Sequence, residues 1–102
     1  MSAADAEYPN DRVTPADLLP LIPTYVGHWV AEKTRSIAEI ELSGDCRATV
    51  RYKRGSEAYK FWRLVKPGIV GIYRDNEIEY EILDPDRLHN GNMNVTLVRS
   101  PT

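Results

Sequence analysis

Two histidines, one cysteine, a run of alternate glutamates and a cluster of aromatics are the side chains of this sequence able to do chemistry. His28 and His89 would serve acid–base work or a metal if they converged. They lack HxxxH-type spacing, and no carboxylate is tied to either by a recognisable motif. Beside Trp29 on a strand, His28 also points to the opposite face. Both read as surface histidines. Cys46, between Asp45 and Arg47, would be a thiolate nucleophile only if its pKa were depressed, and one neighbouring arginine is weak support. It reads as a small, partly buried strand residue. Glu77, Glu79 and Glu81 alternate, which lines them along one strand face instead of converging them as an acid/base pair. Serine-hydrolase elbows, Walker loops and GxGxxG are absent. The sequence assigns no catalytic residue and implies no metal and no cofactor.

The aromatics carry more. Tyr25, Trp29, Tyr52, Tyr59, Phe61, Trp62, Tyr73 and Tyr80 all fall in strand-like runs. In a small β-barrel they either fill the interior outright or line a shallow cup. The cup would be walled by Trp29, Tyr52, Tyr59, Phe61, Tyr73 and Tyr80. Tyrosine hydroxyls, or a cation such as Arg63, would fix a small apolar or aromatic molecule.

These side chains sit on a chain of 102 residues, enough for one domain and one modest core. The formal net charge of −2 argues against a dedicated nucleic-acid binder, which needs a basic surface. That value hides an asymmetry. Arg47, Arg51, Lys53, Arg54, Lys60, Arg63 and Lys66 fall between residues 47 and 66 against one acid, Glu57. Asp75, Glu77, Glu79, Glu81, Asp84 and Asp86 fall between 75 and 86 with no base. Two solvated faces attracting each other across strands account for this split, and an anionic ligand or partner on the basic segment is the alternative. A lone cysteine allows no internal disulfide, and Met-Ser-Ala-Ala-Asp-Ala-Glu lacks the basic start and apolar stretch of a signal peptide. No apolar run reaches transmembrane length. The expected compartment is cytoplasmic, with no membrane partner.

Residues 1–13 are polar and aperiodic, and a flexible lead-in is expected there, followed by a single domain over 14–102. Thr14 is the expected N-cap of a short helix, with Pro15 at its first position and Asp17 in its first turn. Pro20 and Pro23 should stop it within two turns. Leu18, Leu19, Leu21 and Ile22 give it an apolar side suited to one mouth of a barrel. From Tyr25 onward the runs 25–33, 36–43, 46–53, 57–65, 69–74, 77–83 and 93–99 read as strands, some of them divisible in two. Turn signals separate them, among them Ser43-Gly44-Asp45, Arg54-Gly55-Ser56 and Asn90-Gly91-Asn92. Short strands on short loops predict an antiparallel up-and-down sheet.

Within it, a two-residue turn at Asp75-Asn76 predicts an Arg74–Glu77 pair and sets Ile69, Gly71 and Tyr73 beside Ile82, Tyr80 and Ile78 on the core face. A slip of one residue would turn three glutamates inward. Strand 57–65 is ambiguous. It offers Tyr59 and Phe61 on one side and Trp62 and Leu64 on the other, so either it is bulged or one aromatic set is exposed.

Gly27-His28-Trp29 opens the first strand and Arg99 closes the last. An indole at one end and a guanidinium at the other meet only if the sheet curls until its ends are neighbours. A short helix, then G-x-W, then an arginine on the last strand resembles the lipocalin pattern and its wider calycin group. The chain is shorter than typical members, which implies a reduced barrel. The resemblance implies a habit of binding small hydrophobic molecules; some barrels of the group instead inhibit proteins or catalyse cyclisations and decarboxylations. The expected fold is all-β, a small antiparallel up-and-down barrel of seven or eight strands with one short N-terminal helix. A partly open OB-like or SH3-like barrel is the alternative. The leading expected function is binding of a small apolar or aromatic molecule. A protein-interaction or inhibitor module is second, using the split charge and associating as a homodimer. A small barrel enzyme is third, drawing acid–base groups from His28, Arg63, Tyr52 and Tyr59.

Overall fold

Trp29 and Arg99 are directly paired across antiparallel strands, and that pairing closes the sheet. The computed structural model describes residues 13–32 and 36–100; the expected lead-in lies, apart from Val13, outside them. The eight strands are β1 (Gly27–Glu32), β2 (Ile37–Leu42), β3 (Arg47–Tyr52), β4 (Glu57–Lys66), β5 (Ile69–Tyr73), β6 (Glu77–Asp84), β7 (Arg87–Asn90) and β8 (Val95–Arg99). Each pairs with its sequence neighbours, and β8 pairs with β1 through Trp29–Arg99, Val30–Val98, Ala31–Leu97 and Glu32–Thr96. Closure leaves no exposed sheet edge, which excludes the partly open alternative. The strand missing from the sequence reading is β7. Its four residues lie between two turn signals and carry one strongly apolar side chain, Leu88, which is fully buried.

Alternation sets what faces in. Trp29, Ile40, Leu42, Leu64, Val70, Tyr80, Leu88, Val95 and Leu97 fill the interior with Trp62. The ambiguity of β4 is resolved by both devices at once. Trp62 and Leu64 turn inward, Tyr59 and Phe61 turn outward, and an irregularity in the β4–β5 register falls between Leu64 and Lys66.

Three local expectations are corrected. The hairpin of β5 and β6 is out by one residue: Tyr73 pairs with Glu77, Ile72 with Ile78, Val70 with Tyr80. A three-residue loop, Arg74–Asn76, replaces the two-residue turn, and it brings Val70 and Ile72 to the core side while Ile69, Gly71 and Tyr73 share a face with the glutamates. Gly71 therefore leaves no gap under Tyr80. Arg74 does not pair with Glu77; its Nη1 donates to the Tyr59 carbonyl at 2.9 Å.

The helix also differs. A 3₁₀ segment over Ala16–Leu21 runs into one α-helical turn, α1, Ile22–Tyr25. Neither proline ends it. Pro20 lies within the 3₁₀ segment, while Pro23 sits in the first turn of α1, where its missing N–H costs nothing. Thr14 is not the cap. Beyond Trp62, β4 has outrun β3, and Thr14 Oγ1 accepts the Leu64 N–H at 3.1 Å. Leu18 and Ile22 are buried against one mouth, as the apolar side of the helix requires, whereas Leu19 and Leu21 stay exposed.

Candidate ligand-binding site

The two ends of the barrel differ in what closes them. At the helix end, the Trp29 and Trp62 indoles are fully buried and their N–H groups donate to the carbonyls of Tyr25 (3.1 Å) and Ser43 (2.9 Å). Arg99 lies over Trp29, its guanidinium carbon 4.4 Å from the ring centroid. It donates to the carbonyls of Thr24, Val26 and Pro85 and to Asp86 Oδ1. The carbonyls at the C-terminal end of α1 thus meet a cation, which suits both their unmet hydrogen bonds and the helix dipole. This end is sealed.

The opposite end holds a recess of about 80 Å³. Ile37, Ile40, Val50, Ile72 and Ile78 form its apolar wall; Ser36, Tyr52, Lys60, Tyr80 and Met93 complete it. Tyr80, 2% exposed, is its floor, and the half-exposed Met93 its lip. Burial, and then the neighbouring Tyr52, push the Tyr80 phenol up to about 12, so it is a neutral donor at physiological pH. Two shallower grooves flank the mouth with opposite charge. One shares Ser36 and Tyr52 and adds Lys53 and Arg54; the other shares Ile78 and Met93 and adds Glu77, Glu79, Asn90 and Asn92. The split charge of the sequence therefore reappears across the rim.

Of the seven residues proposed from sequence to line a cup, the structure brings two together in this recess, Tyr52 and Tyr80. Trp29 is inside but belongs to the sealed end. Tyr59, Phe61, Arg63 and Tyr73 share the outer face. Tyr59 is 63% exposed with its hydroxyl on Glu57, and Phe61 packs on Tyr73 with ring centroids 5.8 Å apart. Arg63 forks onto Glu77, Nε to Oε2 at 2.7 Å and Nη2 to Oε1 at 2.8 Å. This ion pair joins the basic segment to the acidic one; Arg51 is bound instead by Glu57 and Glu41, and Arg87 by Asp84.

The residue that sequence reasoning passed over is Lys60. It falls in the basic segment of the sequence, yet it shares the inward parity of Ala58, Trp62 and Leu64 and pairs with Ala48 on the core side. Once Trp62 is placed inside, period-two alternation puts Lys60 inside as well.

The remaining chemistry-bearing groups stay apart. His28 contacts Glu39 on the outer face, and His89 Nδ1 lies 3.0 Å from Thr96 Oγ1, with β8 between their strands. Burial, and then the charge of Asp45, push the Cys46 thiol up, against a nucleophilic role. No cluster of three His, Cys, Asp or Glu suited to a metal occurs among the described residues. No helix among them is long and apolar enough to cross a membrane.

The fold and site together define a closed eight-stranded antiparallel barrel with one sealed end and one recessed mouth. The chain matches no protein-family model, no curated protein and no solved structure.

Proposed function

We propose that this barrel binds a small, ring-sized apolar or aromatic molecule in its open mouth. The observation that carries the reading is the recess itself: apolar walls, two tyrosines and a lysine at one end, against an end stopped by two hydrogen-bonded indoles. Sites of this kind pair a dry wall with a few placed donors. Volume limits the occupant. About 80 Å³ accommodates a single ring, well below the roughly 300 Å³ at which pockets for drug-sized ligands begin. The lipocalin-like ends, Gly27, Trp29 and Arg99, support the same reading, as does an up-and-down barrel open at the end away from its helix. The single cysteine, Cys46, fits a cytoplasmic setting.

Titration with benzyl alcohol and phenol, followed by amide NMR, tests it. Saturable shifts should concentrate around Tyr52, Ile78 and Tyr80. They should vanish in Met93→Trp, which plugs the mouth from a lip position without touching the packed core. Absence of saturable shifts at millimolar concentration would remove the proposal.

A further inference from the structure

Two hydrogen-bond donors line the recess with no hydrogen-bond partner among the described residues. The Tyr80 hydroxyl, in a side chain 98% removed from solvent, makes no hydrogen bond with any described residue. The Lys60 ammonium forms neither a hydrogen bond nor an ion pair with any described residue. Buried polar groups are ordinarily satisfied, so the Tyr80 hydroxyl calls for a partner, and the part-buried Lys60 beside the same recess brings a positive charge to it. Among the described residues, Arg51, Arg63 and Arg99 each have a carboxylate or carbonyl in place. Lys60 is different.

The missing partner must be an acceptor, and beside a cation the best acceptor is an anion. The groove that continues from the recess through Ser36 and Tyr52 is flanked by Lys53 and Arg54, which adds positive potential on that side of the rim. Glu77, which lines the groove at the opposite rim, is already held by the Arg63 fork. Apart from Ser36 and Tyr52 the remaining wall is apolar, and its volume admits one ring.

We infer that the mouth is a site for a small cyclic monocarboxylate, its carboxylate on the Lys60 ammonium and the Tyr80 hydroxyl and its ring against Ile72 and Ile78. The inference rests on the proposed binding function and names the ligand class. Lys60 supplies the charge, Tyr80 a neutral donor, and the isoleucines the affinity for the ring. Neutral molecules of the same shape fill the wall but leave the ammonium unpaired, so they bind more weakly.

The test compares benzoate with benzyl alcohol, a neutral molecule of matched shape, by amide NMR titration of the full chain at pH 7. Benzoate should bind about tenfold or more tightly than benzyl alcohol, as a charge-assisted hydrogen bond implies. Lys60→Met should abolish that difference, bringing benzoate down to the affinity of benzyl alcohol or below it, and Lys60→Arg should retain it. Tyr80→Phe should weaken benzoate several-fold, in keeping with loss of one donor. Thermal melts verify that Lys60→Met stays folded; removing an unpaired inward cation should leave its midpoint unchanged or raised. Equal binding of the two probes to the parent protein overturns the carboxylate inference and leaves the binding function standing. Benzoate binding unaltered in Lys60→Met overturns the role of Lys60. Failure of both probes to bind removes the binding function itself.

Discussion

Arg99 covers Trp29 from the neighbouring strand, its guanidinium carbon 4.4 Å from the centre of the indole ring. The contact joins the last strand to the first and ties both to the end of α1 through the Thr24 and Val26 carbonyls. Trp29→Ala should therefore cost about 3–5 kcal/mol, from lost burial and the cavity left behind. Arg99→Lys keeps the charge and loses the planar stacking and most of the four acceptor contacts, so about 1–3 kcal/mol is expected. Urea denaturation of both variants measures this. A loss under 0.5 kcal/mol for Arg99→Lys, on the order of a surface substitution, would mean that the ammonium suffices and the fork geometry is irrelevant.

Gly27 makes that contact possible. Its φ of +147° lies where side chains are rarely tolerated, and a Cβ there would stand 2.9 Å from Arg99 Nη1. Gly27→Ala is expected to cost about 1–3 kcal/mol through backbone strain and a displaced guanidinium. In the Arg99→Ala background the steric part disappears and the strain stays, so the cost should shrink without vanishing. A double-mutant cycle read by denaturant melts separates the two.

How much of this was legible in the sequence depends on how distinctive each residue is. The barrel and its closure were legible because Gly27, Trp29 and Arg99 combine a special backbone, a large ring and a planar cation, and few folds use all three together. The inward face of β6 was legible because Ile78, Tyr80 and Ile82 alternate with glutamates. The face of β5 was not. Ile69-Val70-Gly71-Ile72-Tyr73 is apolar or small at every position, so alternation carries no information there, and one residue more in the Arg74–Asn76 loop decides the register. The helix end was legible through its leucines, whereas Thr14 was misassigned because a serine- or threonine-type cap and a strand-edge acceptor look alike in sequence. The candidate site was half legible: Tyr52 and Tyr80 were named, but Lys60 was hidden by its type. A lysine reads as surface until its neighbours Trp62 and Leu64 are known to point inward.

On the outer face, Gly71 leaves room for the Arg63–Glu77 fork. A Cβ at Gly71 would stand 2.5 Å from Glu77 Oε2 and 2.8 Å from Val65 Cγ2. The pair is largely shielded, with side-chain exposures of 17% and 15%, so Glu77→Gln should cost about 1–3 kcal/mol, more than an exposed ion pair would. Gly71→Ala should be comparably harmful. Combined with Glu77→Ala, it should cost clearly less than the sum of the two, because the clash is chiefly with the side chain removed. Strict additivity in urea melts would show that the glycine serves the backbone instead.

Tyr80 gives the barrel an alkaline limit. In the unfolded chain a tyrosine ionises near pH 10, while burial holds Tyr80 neutral up to about 12 in the barrel. Between those values the unfolded chain has released a proton that the folded one keeps, so stability falls as pH rises. The contribution is fully present below pH 10, declines from there to about 12, and does not change beyond it. Two pKa units correspond to about 3 kcal/mol at 1.36 kcal/mol per unit. Tyr80→Phe has no phenol to ionise and should lack this part of the slope, although it shares the other tyrosines and the lysines. Urea melts of parent and variant at intervals from pH 8 to 11.5 isolate it as a difference. Two profiles that stay parallel across this range would show that Tyr80 ionises as freely in the barrel as in the unfolded chain, and that the floor of the mouth is wet.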